Sequence, residues 1–544
     1  MKKVVFVIAL LVLALPMQGE TMTKLMGSPS GKTGVFCYTF NINPGNSSAT
    51  VTNVELIDSQ DDYPSYSELD SNGFLAIPDT VEAYGKKYIV TELGDPAASG
   101  LGCNFSFNYE YLPPTLRRIN RGALSHSVGT AWCYFNGAEI DYLHPMSGIA
   151  PLYIYYDYPN TYPAVDSDVL FDMVLGKNFK ADESLSTLDK TDSKLHSKIE
   201  NKRYEEGLSY LPLTNCVGLH VSPDCRYYEE KDGFLYHRGC NDTILSVIAT
   251  TPEQGAVIVT VPKEVKAITL PHAGHKLTWN GGIFRWVRVV FEEGNQLETL
   301  GVNALSRTYI DDLPASLREY KEERFYQSYI SHQPTHADVI HKHAFYNTFF
   351  PNDSVLVVPS DASVVEENAY EGAVFEQAVG GVKMIWSKKS ACRFTKQNIS
   401  KREIHLVGTN YLEEGSLADT TIQAIYLNRK YVPEVVYHSS GSHWEQYSYV
   451  HLCGSPVRVP LLYVPKGSAQ YYNDWWLADK VREYDFDLQR CDVTADGVVD
   501  VADVNRVIDI ALGRVEADLA VDLNGDGKVD VADVNKIIDK VLGK

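Results

Sequence analysis

Residues 492–544 contain the same twelve-residue acidic loop twice, with the second copy 30 residues after the first. In each copy, oxygen-bearing side chains stand at loop positions 1, 3, 5, 9 and 12, a glycine at position 6, and a backbone carbonyl at position 7. The first loop has Asp492, Thr494, Asp496, Val498, Asp500 and Asp503, and the second has Asp522, Asn524, Asp526, Lys528, Asp530 and Asp533. Calcium takes six to eight oxygen ligands, and a glycine permits the tight turn around the ion. The spacing therefore predicts two Ca²⁺ sites, against the alternative of an acidic, solvated linker.

A helical pattern follows each loop. After the first loop, apolar residues recur at helical spacing at Val504, Val507, Ile508, Ala511 and Leu512. Gly513 then stands where a helix C-cap glycine belongs, and residues 531–543 repeat the whole pattern. Because no comparable helix precedes either loop, the pattern predicts a small all-α domain made of two loop–helix units.

Two loop–helix copies at this spacing resemble a type I dockerin module, over residues 492–544. The resemblance implies calcium at the twelve loop positions given above. It also implies a cohesin-like partner that contacts loop positions 10 and 11, which here are Val501, Ala502, Val531 and Ala532. Where the family has a basic pair further along each helix, this chain has Ile508–Asp509 and Ile538–Asp539.

The amino terminus has the pattern of an export signal. A basic start at Lys2 and Lys3 precedes an apolar run, residues 4–15, that is too short to span a bilayer. A polar stretch follows, so residues 1–19 are predicted to be a signal peptide. No later segment is long and apolar enough to cross a membrane. The predicted location is therefore secreted or cell surface, where millimolar calcium suits the two loops.

Composition limits the classes of function. A content of 44 % hydrophobic and 22 % charged residues is that of a globular protein with a large core. A net charge of −21 argues against nucleic acid as a partner. The sequence contains no GxSxG, HExxH or CxxC motif, so no catalytic residue is predicted. The carboxylate pair of a glycoside hydrolase has no fixed sequence spacing, and an O-glycosyl hydrolase activity therefore stays the enzymatic alternative.

A degenerate repeat occupies most of the remaining chain. Apolar residues recur three, six, ten and eleven residues after a proline, as after Pro113, Pro334 and Pro359. Successive copies from Ala304 through position 324 to Ala344 and Ala369 are separated by 20, 20 and 25 residues. A period of this length is typical of leucine-rich repeats, in which each coil buries its apolar edge against the next.

Several sequence segments along the repeat carry a family resemblance. They are Ile77–Val81 with Val90–Asp95, Asp232–Tyr236 with Val261–Val265, Val358–Pro359 with Glu367–Gly372, and Leu462–Ser468. These segments resemble the irregular leucine-rich repeats of BspA-like surface proteins. The resemblance implies a mainly β, irregular leucine-rich repeat solenoid over residues 76–126 and 231–486, which is exported and binds proteins or glycans, and which supplies no catalytic residues.

Other segments depart from the repeat or suggest further sites. Residues 20–75 are predicted to form an N-terminal β cap, and residues 127–230 a Tyr-rich and polar insert. The histidines between 332 and 343 suggest a metal cluster, although solvent-facing coil residues are the favoured interpretation. The Tyr-rich run of 153–162 and the pair Trp475 and Trp476 suggest glycan platforms, although core packing is favoured for both.

Three functions fit these features. The first is a secreted or cell-surface recognition protein that binds protein or glycan through its solenoid, with a calcium-stabilised dockerin module for docking or assembly. The alternative is a component of a polysaccharide-degrading assembly, because dockerins usually accompany such enzymes. The third is a self-associating structural protein of the cell surface.

Overall fold

The computed structural model describes residues 20–27, 35–57, 74–95, 102–103, 109–120, 123–124, 131–144, 169–183, 209, 211, 213, 216–249, 255–273, 285–378, 380–413, 415–417, 421–436, 459–472, 478–486, 491–494, 499–515, 521, 523 and 528–542. The predicted signal peptide lies outside these residues. The chain divides into an N-terminal unit, Met1–His332 with His343–Phe349, and a C-terminal unit, Gln333–Lys342 with Phe350–Lys544. The described residues of both are mainly β, as expected.

The N-terminal unit consists of short strands joined by turns. In chain order they are β1 (Glu20–Gly27), β2 (Val35–Asn43), β3 (Ser48–Ile57), β4 (Phe74–Ala76), β5 (Thr80–Ala83), β6 (Lys86–Leu93), β7 (Gly102–Cys103), β8 (Tyr109–Tyr111), β9 (Arg118–Ile119), β10 (Ala131–Ile140), β11 (Tyr142–Leu143), β12 (Val169–Leu175), β13 (Cys216–Val221), β14 (Tyr228–Lys231), β15 (Phe234–His237), β16 (Thr243–Val247), β17 (Gly255–Val261), β18 (Ala267–Ile268), β19 (Arg285–Phe291), β20 (Thr299–Leu300), β21 (Tyr309–Ile310), β22 (Glu319–Tyr320) and β23 (Tyr329–Ile330).

The unit begins with an antiparallel meander and continues as parallel ladders. Strands β1, β2 and β3 pair antiparallel in sequence order, and β3 then pairs parallel with β6. The predicted N-terminal cap at 20–75 thus contains an antiparallel meander whose last strand begins a parallel ladder. A second ladder runs β4, β8, β10, β12 and β13, all parallel. Three of its strands belong to the predicted insert at 127–230. The repeat period of the sequence is interrupted in this segment, but its described strands continue the parallel ladder.

The register between coils confirms the repeat period. Tyr309 pairs with Tyr329, and Tyr329 with Phe349, so these coils are 20 residues long. The apolar positions marked by the sequence repeat are buried in each coil: Leu297, Leu300, Ala304, Leu305, Leu317, Tyr320, Phe325, Ala344 and Phe345. In the C-terminal unit Val339 pairs with Val364, which confirms the longer step of 25 residues. The coils therefore form a leucine-rich-repeat-like fold.

The turns of these coils depend on contacts with the next coil. Each contains two residues other than glycine with left-handed backbone angles: Asn303 and Arg307, Glu323 and Gln327, His343 and Asn347. That conformation costs an L-residue roughly 1–2 kcal/mol. Asn303 and Glu323 each donate their N–H to a carbonyl one coil further on, at 3.2 Å. Hydrogen bonding between coils therefore stabilises turns that one coil would not hold alone.

The described residues of the C-terminal unit include a six-strand parallel ladder, a separate parallel strand pair and two helices. Its strands, from the unit boundary onward, are β24 (Val339–Ile340), β25 (Phe349–Phe350), β26 (Val355–Val358), β27 (Val364–Val365), β28 (Val374–Phe375), β29 (Val382–Phe394), β30 (Lys401–Glu413), β31 (Ala424–Asn428), β32 (Glu434–Val436), β33 (Val459–Pro465) and β34 (Ala478–Tyr484). The sheet runs β26, β29, β30, β31, β33, β34. A register row of Leu356, Met384, Ile404, Ile425 and Leu462 is buried beneath it.

The helices are α1 (Val501–Ala511) and α2 (Val531–Val541), and they lie where the apolar spacing predicts helices. Asp500 and Asp530 cap their N-termini, each accepting a hydrogen bond from the backbone N–H two residues on. Gly513 follows α1 with a φ of +66°, the left-handed conformation of a C-cap glycine. Val507, Ile510, Val534 and Ile537 form the shared core with Val521 and Leu523. No helix among the described residues is long and apolar enough to cross a membrane.

One buried histidine introduces a pH-sensitive element into the N-terminal unit. His272 is 3 % exposed, and its two ring nitrogens lie 2.9 Å from the Ala273 carbonyl and 2.5 Å from the Ser306 carbonyl. Burial lowers the pKa of His272 to about 4, more than these carbonyl contacts raise it. The folded chain therefore holds a neutral imidazole where the unfolded chain would bind a proton.

We expect Phe325→Ala to lower the free energy of unfolding of the N-terminal unit by about 3–5 kcal/mol, because it leaves a cavity in a packed core. The Phe325 ring is fully buried and stacks on Phe345 with centroids 5.6 Å apart. Lys321→Ala is the control on the same coil, since it removes an exposed ion pair worth at most about 1 kcal/mol. Urea denaturation of the three proteins measures the difference, and equal midpoints would refute the stacked-coil core.

Stability should fall on acidification because of His272. Its folded pKa lies below the unfolded one, so its contribution is complete above about pH 6.5 and is lost as the pH falls toward 4. Between pH 7.5 and pH 5 the loss is about 2 kcal/mol. His272→Gln should be less stable at pH 7.5 but should lose less on acidification. Urea midpoints of both proteins at the two pH values test this, and parallel losses would contradict the assignment.

Candidate interaction surfaces and calcium loops

A row of mainly apolar and aromatic side chains, with one arginine that pairs with Asp311, faces outward on the N-terminal unit. The strand register aligns Ile258, Arg288, Tyr309, Tyr329 and Phe349, which we call the N-terminal column. Ile258 is 62 % exposed, and the three rings are half-buried. The residues that follow each of the first four, Val259, Val289, Ile310 and Ile330, are buried. Since successive side chains of a strand point to opposite faces, the column lies on the face opposite the core.

The rings of the N-terminal column are stacked on one another. The Tyr309 and Tyr329 centroids are 4.9 Å apart, and those of Tyr329 and Phe349 are 4.6 Å apart with planes at 8°. These distances match the spacing of paired strands, so the stack follows directly from the register. Most of each ring face is thereby covered by its neighbour, and the column presents ring edges outward.

The C-terminal unit carries a similar row, which we call the C-terminal column. Its register aligns Val357, Ile385, His405, Tyr426 and Tyr463. The rings of His405 and Tyr426 stack at 4.2 Å, and those of Tyr426 and Tyr463 at 4.4 Å. Tyr484 from β34 packs edge-on against both tyrosines. Five strands thus contribute to one continuous apolar row.

The C-terminal column includes ionisable groups whose pKa values are shifted by their surroundings. His405 is 4 % exposed, and its Nε2 lies 3.3 Å from Glu403 Oε2. This hydrogen bond holds the pKa of Glu403 below its usual value despite partial burial. Burial raises the pKa of Tyr426, so its hydroxyl stays neutral at physiological pH. The row therefore offers the neutral Tyr426 hydroxyl and apolar surface, with the Glu403 carboxylate at its flank.

The histidines that suggested a metal cluster pair separately with carboxylates. In the C-terminal unit, His336 Nδ1 lies 3.0 Å from Asp361 and His341 Nδ1 lies 3.2 Å from Glu366. Both carboxylates lie 25 residues on, one coil further along. In the N-terminal unit, His343 Nδ1 lies 3.2 Å from Glu322. Within the part of the chain that the structure describes, no group of three or more metal-ligating side chains is found. These contacts fit coil residues, the favoured interpretation.

The last carboxylate of each acidic loop is buried and faces back into its loop. Asp503 is fully buried, and its Oδ1 accepts hydrogen bonds from Thr494 N at 2.8 Å and Thr494 Oγ1 at 3.0 Å. Its Oδ2 accepts from Asp500 N at 2.9 Å. Asp533, also fully buried, accepts from Leu523 N at 2.7 Å and Asp530 N at 2.9 Å. Each carboxylate thereby joins the start of its loop to the first turn of the helix.

The remaining predicted ligands divide between described and undescribed residues. The described part includes Asp492, Thr494, Asp500, Lys528 and Asp530. Hydrogen bonds bring Thr494 and Asp500 to Asp503, and Asp530 to Asp533. Outside the described residues lie Asp496, Val498, Asp522, Asn524 and Asp526. The same is true of the tyrosine run at 153–162 and of Trp475 and Trp476.

The predicted docking residues are exposed at the start of each helix. Val501 is 62 % exposed and Val531 is 69 % exposed, and Ala502 and Ala532 beside them are also exposed. The two helices therefore present duplicate apolar pairs. At the other end of α2, Lys540 Nζ lies 3.1 Å from Asp485 Oδ2, just beyond β34. This ion pair connects the small helical domain with the sheet.

No protein-family model matches this chain, and no curated protein matches it. A structure of the pneumococcal vaccine antigen PcpA is aligned over 85 % of this chain and 99 % of its own, at 12 % identity and a TM-score of 0.28. A leucine-rich repeat protein from Eubacterium ventriosum ATCC 27560 is aligned over 65 % of this chain and 95 % of its own, at 14 % identity and a TM-score of 0.23. The repeat fold follows from the strand registers and the buried positions of this chain.

The sequence repeat pointed to the buried residues of the coils and missed both columns. In the N-terminal column a signal existed, because Tyr309, Tyr329 and Phe349 precede their buried neighbours at a constant spacing of 20 residues. In the C-terminal column no constant spacing exists, since His405, Tyr426 and Tyr463 are separated by connections of unequal length. Only the strand register brings those three residues together.

Proposed function

We propose that this chain is an exported recognition protein whose columns contact a protein or glycan partner. The observation that carries the proposal is the pair of rows of stacked side chains on two parallel sheets. The rings of the first row are half-buried on its outer face, and in the second row the half-buried Tyr426 and Tyr463 stand beside the buried His405. Tyrosine and phenylalanine are enriched in protein interfaces, where they supply large contact areas. A functional role explains why side chains of this size stand on an open face of each sheet.

The stacking also favours tight contact. A ring held between two neighbours has already lost most of its rotamer freedom, so binding costs it little further entropy. Tyr426 lies between His405 and Tyr463, at centroid distances of 4.2 and 4.4 Å. Tyr329 lies in the same way between Tyr309 and Phe349. The central ring of each column is therefore the residue expected to contribute most to affinity.

The helical domain is proposed to be a calcium-stabilised, dockerin-like module. Asp503 and Asp533 fit this role, because each is a buried carboxylate whose hydrogen bonds close its loop, and a carboxylate oxygen that accepts one hydrogen bond keeps another lone pair. The ion would be held by the twelve loop positions predicted from the sequence. Its positive charge would offset the repulsion among the clustered carboxylates.

The exposed pairs Val501–Ala502 and Val531–Ala532 are proposed to dock a cohesin-like partner. Their duplication would allow the partner to bind at either helix. A module of this kind also favours the second candidate, a component of a polysaccharide-degrading assembly, in which this chain would supply recognition and the activity would be that of a glycoside hydrolase.

Calcium removal should unfold the helical domain and leave the sheets folded. The Lys540–Asp485 ion pair is partly exposed and worth at most about 1 kcal/mol, too little to couple the two cooperatively. Calorimetry with and without EGTA should therefore show the loss or downward shift of one transition only. Isothermal titration should give two calcium ions per chain, and one for Asp503→Asn or Asp533→Asn. The control is Asp509→Asn, which lies outside the loops. A single transition unaffected by EGTA would refute calcium stabilisation.

Binding should depend on the centres of the columns. The full chain is applied to protein and glycan arrays, and retained ligands are titrated with Tyr329→Ala, Tyr426→Ala and the control Tyr84→Ala. Tyr84 is 71 % exposed and lies outside both columns. Loss of a buried interface ring costs about 2 kcal/mol or more, so one column variant should weaken binding at least ~30-fold. Unchanged affinity in both column variants would refute the proposed surfaces, and reducing sugar released from a polysaccharide panel would favour the enzymatic candidate.

A further inference from the structure

Two exposed tyrosines stand together at the carboxyl ends of adjacent strands, outside both columns. Strands β31 and β33 pair in parallel. The chain reaches Tyr431 shortly after β31, and Tyr471 shortly after β33, at the end of the 3₁₀ turn Ala469–Tyr471. The two ring centroids are 4.8 Å apart with planes at 62°. Tyr431 is 54 % exposed and Tyr471 is 40 % exposed.

The loop that carries Tyr431 is held in place by the buried side chain of Tyr472. Tyr472 is fully buried, and its hydroxyl lies 2.8 Å from both the Arg429 and the Tyr431 carbonyl oxygens. Burial raises the pKa of Tyr472, which keeps its hydroxyl protonated to donate this bond. Arg429 Nη1 also donates to the Thr409 carbonyl at 3.1 Å. The exposed pair is therefore preorganised by a buried residue adjacent to Tyr471 in the chain.

A cation completes the group. Lys430 Nζ lies 5.3 Å from the centroid of the Tyr431 ring and 5.9 Å from that of Tyr471. Among the described residues, no ion pair of Lys430 is found. The group thus combines two inclined aromatic rings with a donor of three hydrogen bonds.

We infer that Tyr431, Tyr471 and Lys430 form a binding site for a pyranose-based oligosaccharide. Unlike the rings of the columns, these two meet edge to face, so ring surface remains open on a strongly exposed pair. Aromatic faces pack against the C–H faces of sugars, and their hydroxyls supply a polar handle. The Lys430 ammonium would donate to a sugar hydroxyl or to the carboxylate of an acidic sugar. The inference rests on the proposed recognition function and adds to it a ligand class and a location.

The charge of Lys430 and the small number of aromatic residues argue against two other classes of ligand, quaternary ammonium compounds and proline-rich peptides. A quaternary ammonium ligand would be repelled by Lys430, which occupies the position where an aromatic cage attracts a cation. A proline-rich peptide docks in a groove lined with several aromatic residues. One inclined pair with one donor instead suits the C–H face and the hydroxyls of a sugar.

The test is titration of the full chain with two probes, cellohexaose as a neutral oligosaccharide and hexagalacturonate as an acidic one. We expect saturable binding of at least one probe. Tyr431→Ala and Tyr471→Ala should each weaken it about fivefold or more, whereas Tyr431→Phe should bind within about twofold of the unaltered chain. Lys430→Ala should weaken hexagalacturonate more than cellohexaose.

Tyr227→Ala is the matched control. Tyr227 is 39 % exposed and has Lys180 Nζ 5.3 Å from its ring centroid, but it belongs to the N-terminal unit and not to the proposed site. Circular dichroism of each variant verifies that it is folded. Three results would overturn the inference. Neither probe binds, binding is unchanged in Tyr431→Ala/Tyr471→Ala, or a polyproline peptide binds at the pair in place of the probes. The Tyr431 and Tyr471 variants leave both columns unaltered, so a loss of probe binding in them is distinct from a failure of the columns, which Tyr329→Ala and Tyr426→Ala test separately.

Discussion

Hydrogen bonding between successive coils is the constraint on which this structure depends. Short strands such as Tyr309–Ile310 contain two residues, too few to form a stable sheet without neighbours on both sides. The turns between them include strained residues such as Glu323, whose N–H is satisfied by a carbonyl of the next coil. Buried hydroxyls continue the pattern, since Ser328 and Thr348 each donate to a carbonyl one coil back. A coil is therefore stable only as part of the stack.

The same constraint creates the proposed recognition surfaces. A parallel register places equivalent residues at the strand spacing, so similar side chains stack when the sequence repeats them. On the inner face this gives a buried core, and on the outer face it gives a row of partly exposed rings. Phe325 and Phe345 stack inside at 5.6 Å, while Tyr329 and Phe349 stack outside at 4.6 Å. Core stability and surface composition therefore arise from one backbone geometry.

The features of the fold that repeat along the chain could be predicted from the sequence. The apolar positions from Ala304 through position 324 to Ala344 predicted the 20-residue step, and the strand register confirms it. The helices after the acidic loops were predicted from their apolar spacing and from Gly513. The ladder through residues 131–221 was not anticipated, because strands β10, β12 and β13 are separated by connections too irregular to leave a phase in the sequence. For the same reason the C-terminal column could not be predicted.

The tyrosines of the C-terminal unit show how one residue type can serve two purposes. Tyr426 and Tyr463 lie on paired strands, where register forces their planes to within 10° and covers their faces. Tyr431 and Tyr471 lie beyond the ends of those same two strands, where no register acts, and their planes meet at 62°. The first pair offers edges to a partner that spans several strands. The second leaves ring faces open to a ligand the size of a sugar. The position of a tyrosine on a strand or beyond its end, more than the residue type, therefore distinguishes the proposed contact surface from the proposed sugar site.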